Sequence, residues 1–527
     1  MRPAAPPGIL LRGGSVIGAD GDPVRTDVVV DGGRIAAVAP PGTVDAPTSA
    51  QVVDCAGRLL MPGFVDAHSH AGSLVFEADV QLALLRQGVT TIVTGQDGVS
   101  PAPGDGGYAA EYFAAIDGPH PSYRGDGIAG LLATYDGTVP VNVATLVPAG
   151  TVRQLVCGDA PGPASGVQRG AMRALVRQGL VDGAVGLATG LDYVPGLHAD
   201  TDELVDLCHE VAAVDALYVS HMRGGYESNV RAGLDEMASI VRGSGVRAHV
   251  SHLHAPVDLA RRTLADLAAT GTPLTFDAYP YSRGCTILSM LVLPPELAAP
   301  GTDGLARAVR SAEGCSTVQE AILERVLGRA DLGTDWSDAM TLSHVPTDRY
   351  RQHQGSTVTD AATAEGTDPV SFVIDLLIAA RLQVTAIMRV PHPRSATELA
   401  PLYRMPGHMA GSDGIFVGSH PHPRAYGTFA TYLADHVRPG LLSWSEAVEH
   451  LSTTAVRHFR LGERGVLRPG AVADIVVVDQ DRVAAASTYE APMRPAVGID
   501  DVLVAGRVVL RDGSLTGATP GTGLRRV

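Results

Sequence analysis

The sequence contains no lysine, so all 40 basic residues among its 527 positions are arginine. This absence excludes Schiff-base chemistry on a lysine, and it excludes a carboxylated lysine as the bridge between two metal ions. No stretch approaches the roughly 18–20 consecutive apolar residues that a membrane-spanning helix needs. Residues 1–7 have neither the basic region nor the apolar core of a secretion signal, so no signal is predicted there.

The sequence is also poor in cysteine and in positive charge. Its five cysteines are odd in number and form no CxxC motif, which favours a reducing cytoplasm; they are Cys55, Cys157, Cys208, Cys285 and Cys315. The 40 basic and 56 acidic residues give a net charge of −16 without a basic cluster. Neither nucleic acid nor an anionic membrane is therefore predicted as a partner. The sequence leaves the oligomeric state open.

Strand-like apolar runs alternate with helical stretches through the middle of the chain. This alternation predicts an α/β fold, and eight such strands predict a closed (β/α)8 TIM barrel. The predicted barrel strands are 64–68, 90–95, 141–147, 183–188, 217–220, 247–251, 274–278 and 408–411.

Short strands and glycine-rich turns occupy both ends of the chain. We predict a small β-sandwich built from residues 1–61 and 461–527, with the barrel spanning residues 62–460 between them. The connection between predicted strands seven and eight is much longer than the roughly 30 residues of a whole βαβ unit. We predict that residues 286–400 form an inserted helical segment over the barrel mouth; the alternative is a surface excursion without a role.

Polar residues follow several of the predicted strands. His68 and His70 are two residues apart at the end of the first strand, so their side chains lie on one face and can bind one metal ion. Strand ends of a TIM barrel meet at one mouth, where active sites form. The further candidates at these ends predict a metal site rather than core packing, and they are Asp97, His221, His252 and Asp413.

The motifs together resemble the amidohydrolase superfamily, and more closely its N-acyl-D-amino-acid deacylases (D-aminoacylases). The resemblance spans nearly the whole chain. The motifs that carry it are GFVDAHSH at 63–70, GVTT at 88–91, GLATGL at 186–191, HMR at 221–223, YPY at 279–281, GSDG at 411–414 and HPRAYGTF at 422–429.

This resemblance implies an enzyme that cleaves the amide of an N-acyl (D-)amino acid with a metal-activated hydroxide. It implies one or two divalent ions, zinc first, with Asp413 as both a metal ligand and the general acid–base group. Two other classes stay open. One is a cyclic amide, imide or carbamoyl hydrolase, or a deaminase, of the same superfamily. The other is a non-catalytic interaction protein.

Three positions depart from the family pattern. Asp97 stands where these deacylases typically have a metal-bridging cysteine, and its harder oxygen ligand leaves Mn²⁺, Fe²⁺ and Co²⁺ as alternatives to zinc. His254 stands where the family usually has a substrate-contacting lysine, and Cys285 replaces an expected serine. The metal ligands are therefore kept while the substrate surroundings are altered.

Six residues are candidates for substrate contact: Arg424, Tyr279, His254, Tyr193, Cys285 and Arg223. Arg424 is expected to hold a substrate carboxylate through paired hydrogen bonds. Arg223 either faces the mouth or forms a salt bridge behind it. Because a histidine near pH 7 is mostly neutral, we predict fewer positive charges in the site and poor hydrolysis of dicarboxylic N-acyl-D-glutamate or N-acyl-D-aspartate.

Overall fold

The computed structural model describes residues 8–18, 21–45, 50–298, 301–329, 332, 334–390 and 392–527. Residues 1–7, for which no secretion signal is predicted, lie outside this part of the chain. No helix in the described part combines the length and the apolar character needed to cross a membrane.

The strands are numbered along the chain. They are β1 (Ile9–Ile17), β2 (Pro23–Asp31), β3 (Arg34–Ala39), β4 (Gln51–Asp54), β5 (Leu59–Pro62), β6 (Phe64–Asp66), β7 (Val89–Thr94), β8 (Asn142–Thr145), β9 (Val147–Pro148), β10 (Gly186–Gly190), β11 (Leu217–His221), β12 (Arg247–Val250), β13 (Leu274–Ala278), β14 (Gly284–Ile287), β15 (Met340–His344), β16 (Thr385–Met388), β17 (His408–Ala410), β18 (Ile475–Val478), β19 (Ile499–Val504), β20 (Arg507–Arg511) and β21 (Ser514–Leu515).

The helices are numbered in the same way. They are α1 (Ala78–Arg86), α2 (Gly107–Tyr112), α3 (Ala114–Asp117), α4 (Gly127–Ala133), α5 (Ala149–Cys157), α6 (Gly166–Val181), α7 (Thr201–Ala212), α8 (Val230–Ser244), α9 (Val257–Ala269), α10 (Leu288–Val292), α11 (Pro295–Ala298), α12 (Gly301–Ala308), α13 (Ala312–Leu327), α14 (Trp336–Ala339), α15 (Val358–Ala364), α16 (Pro369–Ala379), α17 (Ala396–Tyr403), α18 (Arg424–Thr431), α19 (Trp444–Val448) and α20 (Thr454–Phe459). Helix starts follow local sequence: Ser165 and Gln168 form a capping box before α6, and Asp368 caps α16 ahead of Pro369.

Eight parallel strands close into a barrel. They are β6, β7, β8, β10, β11, β12, β13 and β17, which confirms the predicted barrel. Pairing runs in order from β6 to β8 and again from β9 through β13 to β17. Hydrogen bonds join these sheets at both seams, for example from Val185 N to Thr145 O (2.9 Å) and from Ala67 N to Ala410 O (3.0 Å). Both faces are covered by protein, so the strands are short runs of buried residues rather than alternating ones.

Strands from both ends of the chain form one nine-stranded sheet. Its order is β21-β20-β19-β18-β5-β1-β2-β3, with β4 paired to β1 beside this path. Strand β5 joins the two ends, because it pairs with β1 on one edge and β18 on the other. The terminal β-structure is therefore present; its packing as a sandwich stays a prediction. The exact division of the chain at residues 61 and 461 stays a prediction.

The chain between β13 and β17 builds a region with its own apolar core, which includes Leu288, Ile322 and Phe372. Helices α10 to α16 surround this core, and strands β14, β16 and β15 form an antiparallel sheet. The region is thus mixed rather than purely helical, because β16 pairs with both β14 and β15. Its action as a cover over the barrel mouth stays a prediction.

Gly190 ends β10 where the loop that carries Asp97 packs against it. A Cβ atom on Gly190 would lie 2.2 Å from the carbonyl oxygen of Asp97 and 2.6 Å from the Tyr193 ring. We expect Gly190→Ala to lower the free energy of unfolding by about 1–3 kcal/mol or more, because backbone cannot move aside as a side chain can. Denaturant titration measures the change.

The matched control is Gly170→Ala on the exposed side of α6, where a Cβ would meet nothing within 4 Å. That variant should be as stable as the parent or up to about 1 kcal/mol more stable, because alanine favours the helix. Equal denaturation midpoints for the two variants would contradict the packing described for Gly190.

Candidate metal centre and active-site cavity

Six histidine and aspartate side chains meet at the carboxyl ends of the barrel strands. They are His68 and His70 after β6, Asp97 after β7, His221 at the end of β11, His252 after β12 and Asp413 after β17. None of the six is more than 7% exposed. The closed barrel thus brings together every residue that the sequence analysis selected as a candidate ligand.

The Asp97 carboxylate lies among all four histidines. Its Oδ1 atom is 3.8 Å from His68 Nε2 and 3.6 Å from His252 Nε2. The same oxygen is 3.9 Å from His221 Nδ1, and Oδ2 is 3.7 Å from His70 Nε2. Atoms that bind one ion at about 2.1 Å in tetrahedral geometry lie roughly 3.4 Å apart. These separations fit donors arranged around shared ions.

The Asp413 carboxylate lies on the other side of the first two histidines. Its Oδ1 atom is 3.7 Å from His68 Nε2 and 3.3 Å from His70 Nε2. Two groups of three therefore converge closely enough to hold an ion, and they share His68. These groups are His68, Asp97 and His252, and His68, His70 and Asp413.

Three of the six candidates have a left-handed backbone. The φ angle is 54° at Asp97, 34° at His252 and 49° at Asp413. Non-glycine residues rarely adopt positive φ, and such strain persists where the surrounding structure imposes it, often at functional sites. The backbone at these strand ends is therefore shaped to aim side chains inward.

Unsatisfied buried atoms test whether these residues fit a metal ion. Among the described residues, His68 Nε2 and Asp97 Oδ1 are buried and have no hydrogen-bond partner. A buried polar atom without a partner is costly, and a cation between these two atoms would satisfy both. Imidazole and carboxylate donors suit zinc as well as manganese, iron and cobalt. The donor set thus fits a divalent ion.

The charges in this cluster stabilise one another. Burial alone raises the pKa of Asp97, but the surrounding imidazoles, His252 first, outweigh burial and hold that pKa below its usual range. Burial lowers the pKa of His70, yet the hydrogen bond to Asp117 and the nearby carboxylates raise it to about 10. The Asp97 carboxylate therefore stays ionised although it is buried, which is the form that binds a metal ion.

A cavity of about 820 Å³, measured to its open mouth, lies against this cluster. Five of the residues expected to contact substrate line it: Tyr193, His254, Tyr279, Cys285 and Arg424. Burial raises the pKa of the Cys285 thiol to about 11. That thiol stays protonated at neutral pH, which excludes it as a nucleophile there.

Arg424 lies at the base of the cavity and is fully buried. Its Nη2 atom donates to Asp413 Oδ2 at 2.8 Å and to Cys285 O at 3.1 Å. Its guanidinium carbon is 4.6 Å from the centre of the Tyr279 ring. The Nε and Nη1 atoms have no hydrogen-bond partner within the described part of the chain. Arg424 therefore pairs with Asp413, a contact absent from the sequence analysis, and still has donors to offer.

Arg223 does not line the cavity. Its guanidinium donates to Leu197 O at 2.8 Å and Ala199 O at 2.6 Å, and its Nε lies 3.3 Å from Glu236 Oε2. This corrects the expectation that Arg223 contacts substrate: its donors bind the loop before α7 and a glutamate of α8. Arg223 instead forms a salt bridge outside the cavity, which was the alternative predicted from the sequence.

Comparison with known proteins agrees with this geometry. A family model described as "Amidohydrolase family" matches residues 51–510. The chain belongs to the amidohydrolase family. It is 30% identical to the N-acyl-D-glutamate deacylase of Alcaligenes xylosoxydans xylosoxydans, covering 97% of this chain and 98% of that protein. It is 29% identical to the D-aminoacylase of the same organism, covering 98% and 97%.

A solved structure of the family superimposes over nearly the whole chain. It is the N-acyl-D-glutamate deacylase of Bordetella bronchiseptica with zinc and a phosphonate inhibitor that mimics the tetrahedral intermediate. The TM-score is 0.80 at 30% identity, with 98% of this chain and 99% of that chain covered. The likeness confirms the amidohydrolase α/β-barrel fold.

Three further carboxylates of this amidohydrolase contact the histidines at the ring nitrogens that point away from the Asp97 and Asp413 carboxylates. None of the three was predicted from the sequence. His70 Nδ1 donates to Asp117 at 2.8 Å, and His221 Nε2 donates to Asp192 at 3.3 Å. Asp277 Oδ2 is 3.6 Å from His68 Nδ1. Each contact leaves the other ring nitrogen facing the cluster. Carboxylates placed in this way fix the ring orientation of metal-binding histidines.

Asp277 has the most contacts of these three. Its Oδ1 accepts from the backbone N–H of His252 at 2.8 Å, and its Oδ2 accepts from His249 Nε2 at 2.9 Å. One buried carboxylate thus positions two candidate ligands. The sequence carried a signal for it, because Asp277 lies next to Ala278 at the end of β13. Asp117 lies far from any strand end, so the sequence carried no signal for its role.

We expect Asp277→Asn to lower the free energy of unfolding by about 3 kcal/mol, because an amide cannot replace a buried carboxylate that accepts from the His252 N–H and the His249 ring and lies 3.6 Å from His68 Nδ1. Asp117→Asn, which loses one imidazole contact, should cost clearly less. Asp375→Asn, an exposed position on α16, serves as the neutral control. Denaturant unfolding of the metal-free variants gives the order. Equal stability of the Asp277 and Asp117 variants would contradict the contacts assigned to Asp277.

Proposed function

We propose that this amidohydrolase cleaves the amide bond of N-acyl-D-amino acids and releases a carboxylic acid and a D-amino acid. The observation that carries the proposal is the burial of Asp97 and Asp413 among four histidines at the base of an open cavity. Relatives at 30% and 29% identity over nearly the full length, named as deacylases of this class, support it.

We propose that His68, His70, Asp97, His221, His252 and Asp413 hold one or two divalent ions, with zinc first and manganese, iron or cobalt as alternatives. Asp97 is the only candidate whose two oxygens face all four histidines, which supports it as the bridging ligand. Such an ion, when bound, polarises the amide carbonyl and lowers the pKa of a water molecule towards neutrality.

Asp413 is the proposed proton carrier. Its Oδ2 atom faces the cavity and accepts from Arg424, which together with the nearby histidines outweighs the effect of burial and keeps the pKa of Asp413 low. As a carboxylate it takes the proton of the attacking water and passes it to the leaving nitrogen. The proton thus moves from one reacting atom to the other without leaving the site.

Arg424 is the proposed anchor for the substrate's α-carboxylate. Its Nε and Nη1 donors have no protein partner in the described chain, and its guanidinium is held by Asp413 and the Tyr279 ring. A fixed guanidinium loses little freedom when it binds a carboxylate. Because the same residue contacts Asp413, a bound substrate carboxylate would lie beside the proton carrier.

We also propose a cytoplasmic location. All five cysteines lie in the described part of the chain and none forms a disulfide, which supports a reducing compartment.

Hydrolysis of N-acetyl-D-methionine and N-acetyl-L-methionine tests the proposal. The zinc-loaded protein should release methionine from the D-isomer, and prior removal of metal with a chelator should abolish release until zinc is restored. The released amine is measured directly. Turnover that is unchanged after verified metal removal, or no turnover of any N-acyl-D-amino acid, would contradict the proposed function.

Asp413→Asn is nearly isosteric but cannot carry a proton. We expect kcat for the D-isomer to fall by about 10²–10⁴-fold, the range typical of general acid–base groups, while metal content falls much less. Steady-state kinetics and elemental analysis of the same preparation separate the two effects. Near-normal turnover by a fully loaded variant would place the proton carrier elsewhere.

A further inference from the structure

Glu227 lies at the wall of the active-site cavity and carries a charge that the proposed reaction does not use. It follows β11 in a short helical turn, at a backbone φ of 58°. The Glu227 N–H donates to His254 O at 3.1 Å, which ties this turn to the loop after β12. Non-glycine residues adopt a left-handed backbone mainly where the surrounding structure imposes it, and such residues are often found at functional sites.

The Glu227 carboxylate binds two basic side chains. His254 Nδ1 donates to Oε1 at 2.8 Å, and Arg394 Nη2 donates to both oxygens at 2.6 and 2.5 Å. All three side chains are at least four-fifths buried, since their exposed fractions are 15%, 18% and 12% for His254, Glu227 and Arg394. The ion pair of Glu227 with Arg394 is therefore strong and weakly screened.

This network connects to the reaction centre. The His254 ring lies 6.3 Å from the Tyr279 ring in a stacked arrangement, and Tyr279 in turn contacts Arg424. Arg394 is fixed from the other side, because its backbone N–H donates to Ser282 Oγ at 3.2 Å. The network therefore lies one aromatic ring away from the proposed carboxylate anchor.

We propose that Glu227 is a specificity-determining residue that makes the site select N-acyl-D-amino acids with uncharged side chains over those with a second carboxylate. Glu227 occupies His254, which also lines the cavity, and Arg394, which lies outside the lining; a side-chain carboxylate would otherwise use these donors. Its own negative charge also opposes a second anion in the same place. Relatives of nearly equal identity carry names with different substrates, so overall identity does not decide this preference.

The proposal rests on the proposed deacylase function and is tested with paired substrates. The measured quantity is the ratio of kcat/KM for N-acetyl-D-glutamate to kcat/KM for N-acetyl-D-methionine. The parent enzyme should prefer the methionine substrate. Glu227→Gln keeps the shape of the side chain and releases the two basic groups, so the ratio should rise by about tenfold or more.

The rise in the kcat/KM ratio should come from a lower KM for the glutamate substrate rather than a higher kcat. The released groups are expected to bind the substrate and do not take part in the reaction. A merely structural effect of the substitution would change kcat/KM for both substrates alike.

Two further variants isolate the cause. In the double variant Glu227→Gln with Arg394→Met the gain should largely vanish, because the released guanidinium is gone. Glu236→Gln is the matched control, since Glu236 also pairs with an arginine, Arg223, but lies outside the cavity lining. Its ratio should equal that of the parent.

The outcomes separate the two proposals. A parent that prefers the glutamate substrate, or a Glu227→Gln variant active on methionine with an unchanged ratio, would overturn the role of Glu227 and leave the deacylase function standing. A parent inactive on every N-acyl-D-amino acid would overturn the proposed function and this inference with it.

Discussion

The contact of one carboxylate, Asp97, with four imidazoles is the interaction on which the rest of the site depends. Such a cluster forms only where several chain segments end at one point, and the closed barrel supplies that point. It also needs close backbone packing. Gly190 on β10 has no side chain to separate it from the carbonyl of Asp97, so the Asp97 loop reaches into the mouth.

Charge balance extends outward from this centre in layers. Asp277, Asp117 and Asp192 contact the histidines from behind, and Arg424 contacts Asp413 from the cavity side. The carboxylates named here therefore each lie beside an imidazole or a guanidinium, as burial favours. The same rule continues at the wall, where Glu227 binds His254 and Arg394. The inner layer surrounds the proposed reaction centre, and the outer layer is where we propose that substrates are selected.

The sequence allowed the barrel and the candidate ligands to be predicted because both follow simple spacing rules. Short apolar runs that alternate with helices indicate parallel strands, and polar residues directly after those strands face the mouth. His68, His70 and Asp413 were found in this way. The nine-stranded terminal sheet was harder to predict, because strand spacing does not reveal that β5 links the two ends of the chain.

The residues that were missed depend on contacts between distant segments. Asp117 lies in a helix after β7, and its contact with His70 spans a loop whose path local patterns do not encode. Arg394 and Glu227 are 167 positions apart, and nothing in the sequence pairs them. Arg223 follows a candidate ligand by two residues, yet its side chain turns towards α8. Position after a strand predicts closeness to the mouth but not the direction of a long side chain.

Anomalous diffraction at the zinc edge from crystals of the zinc-loaded protein locates the ions that the Asp97 cluster is proposed to hold. We expect one or two peaks between the Asp97 carboxylate and the four histidines, with zinc-to-ligand distances of about 2.0–2.2 Å. Peaks that lie elsewhere in the molecule, or a zinc-loaded protein without any peak among these residues, would contradict it.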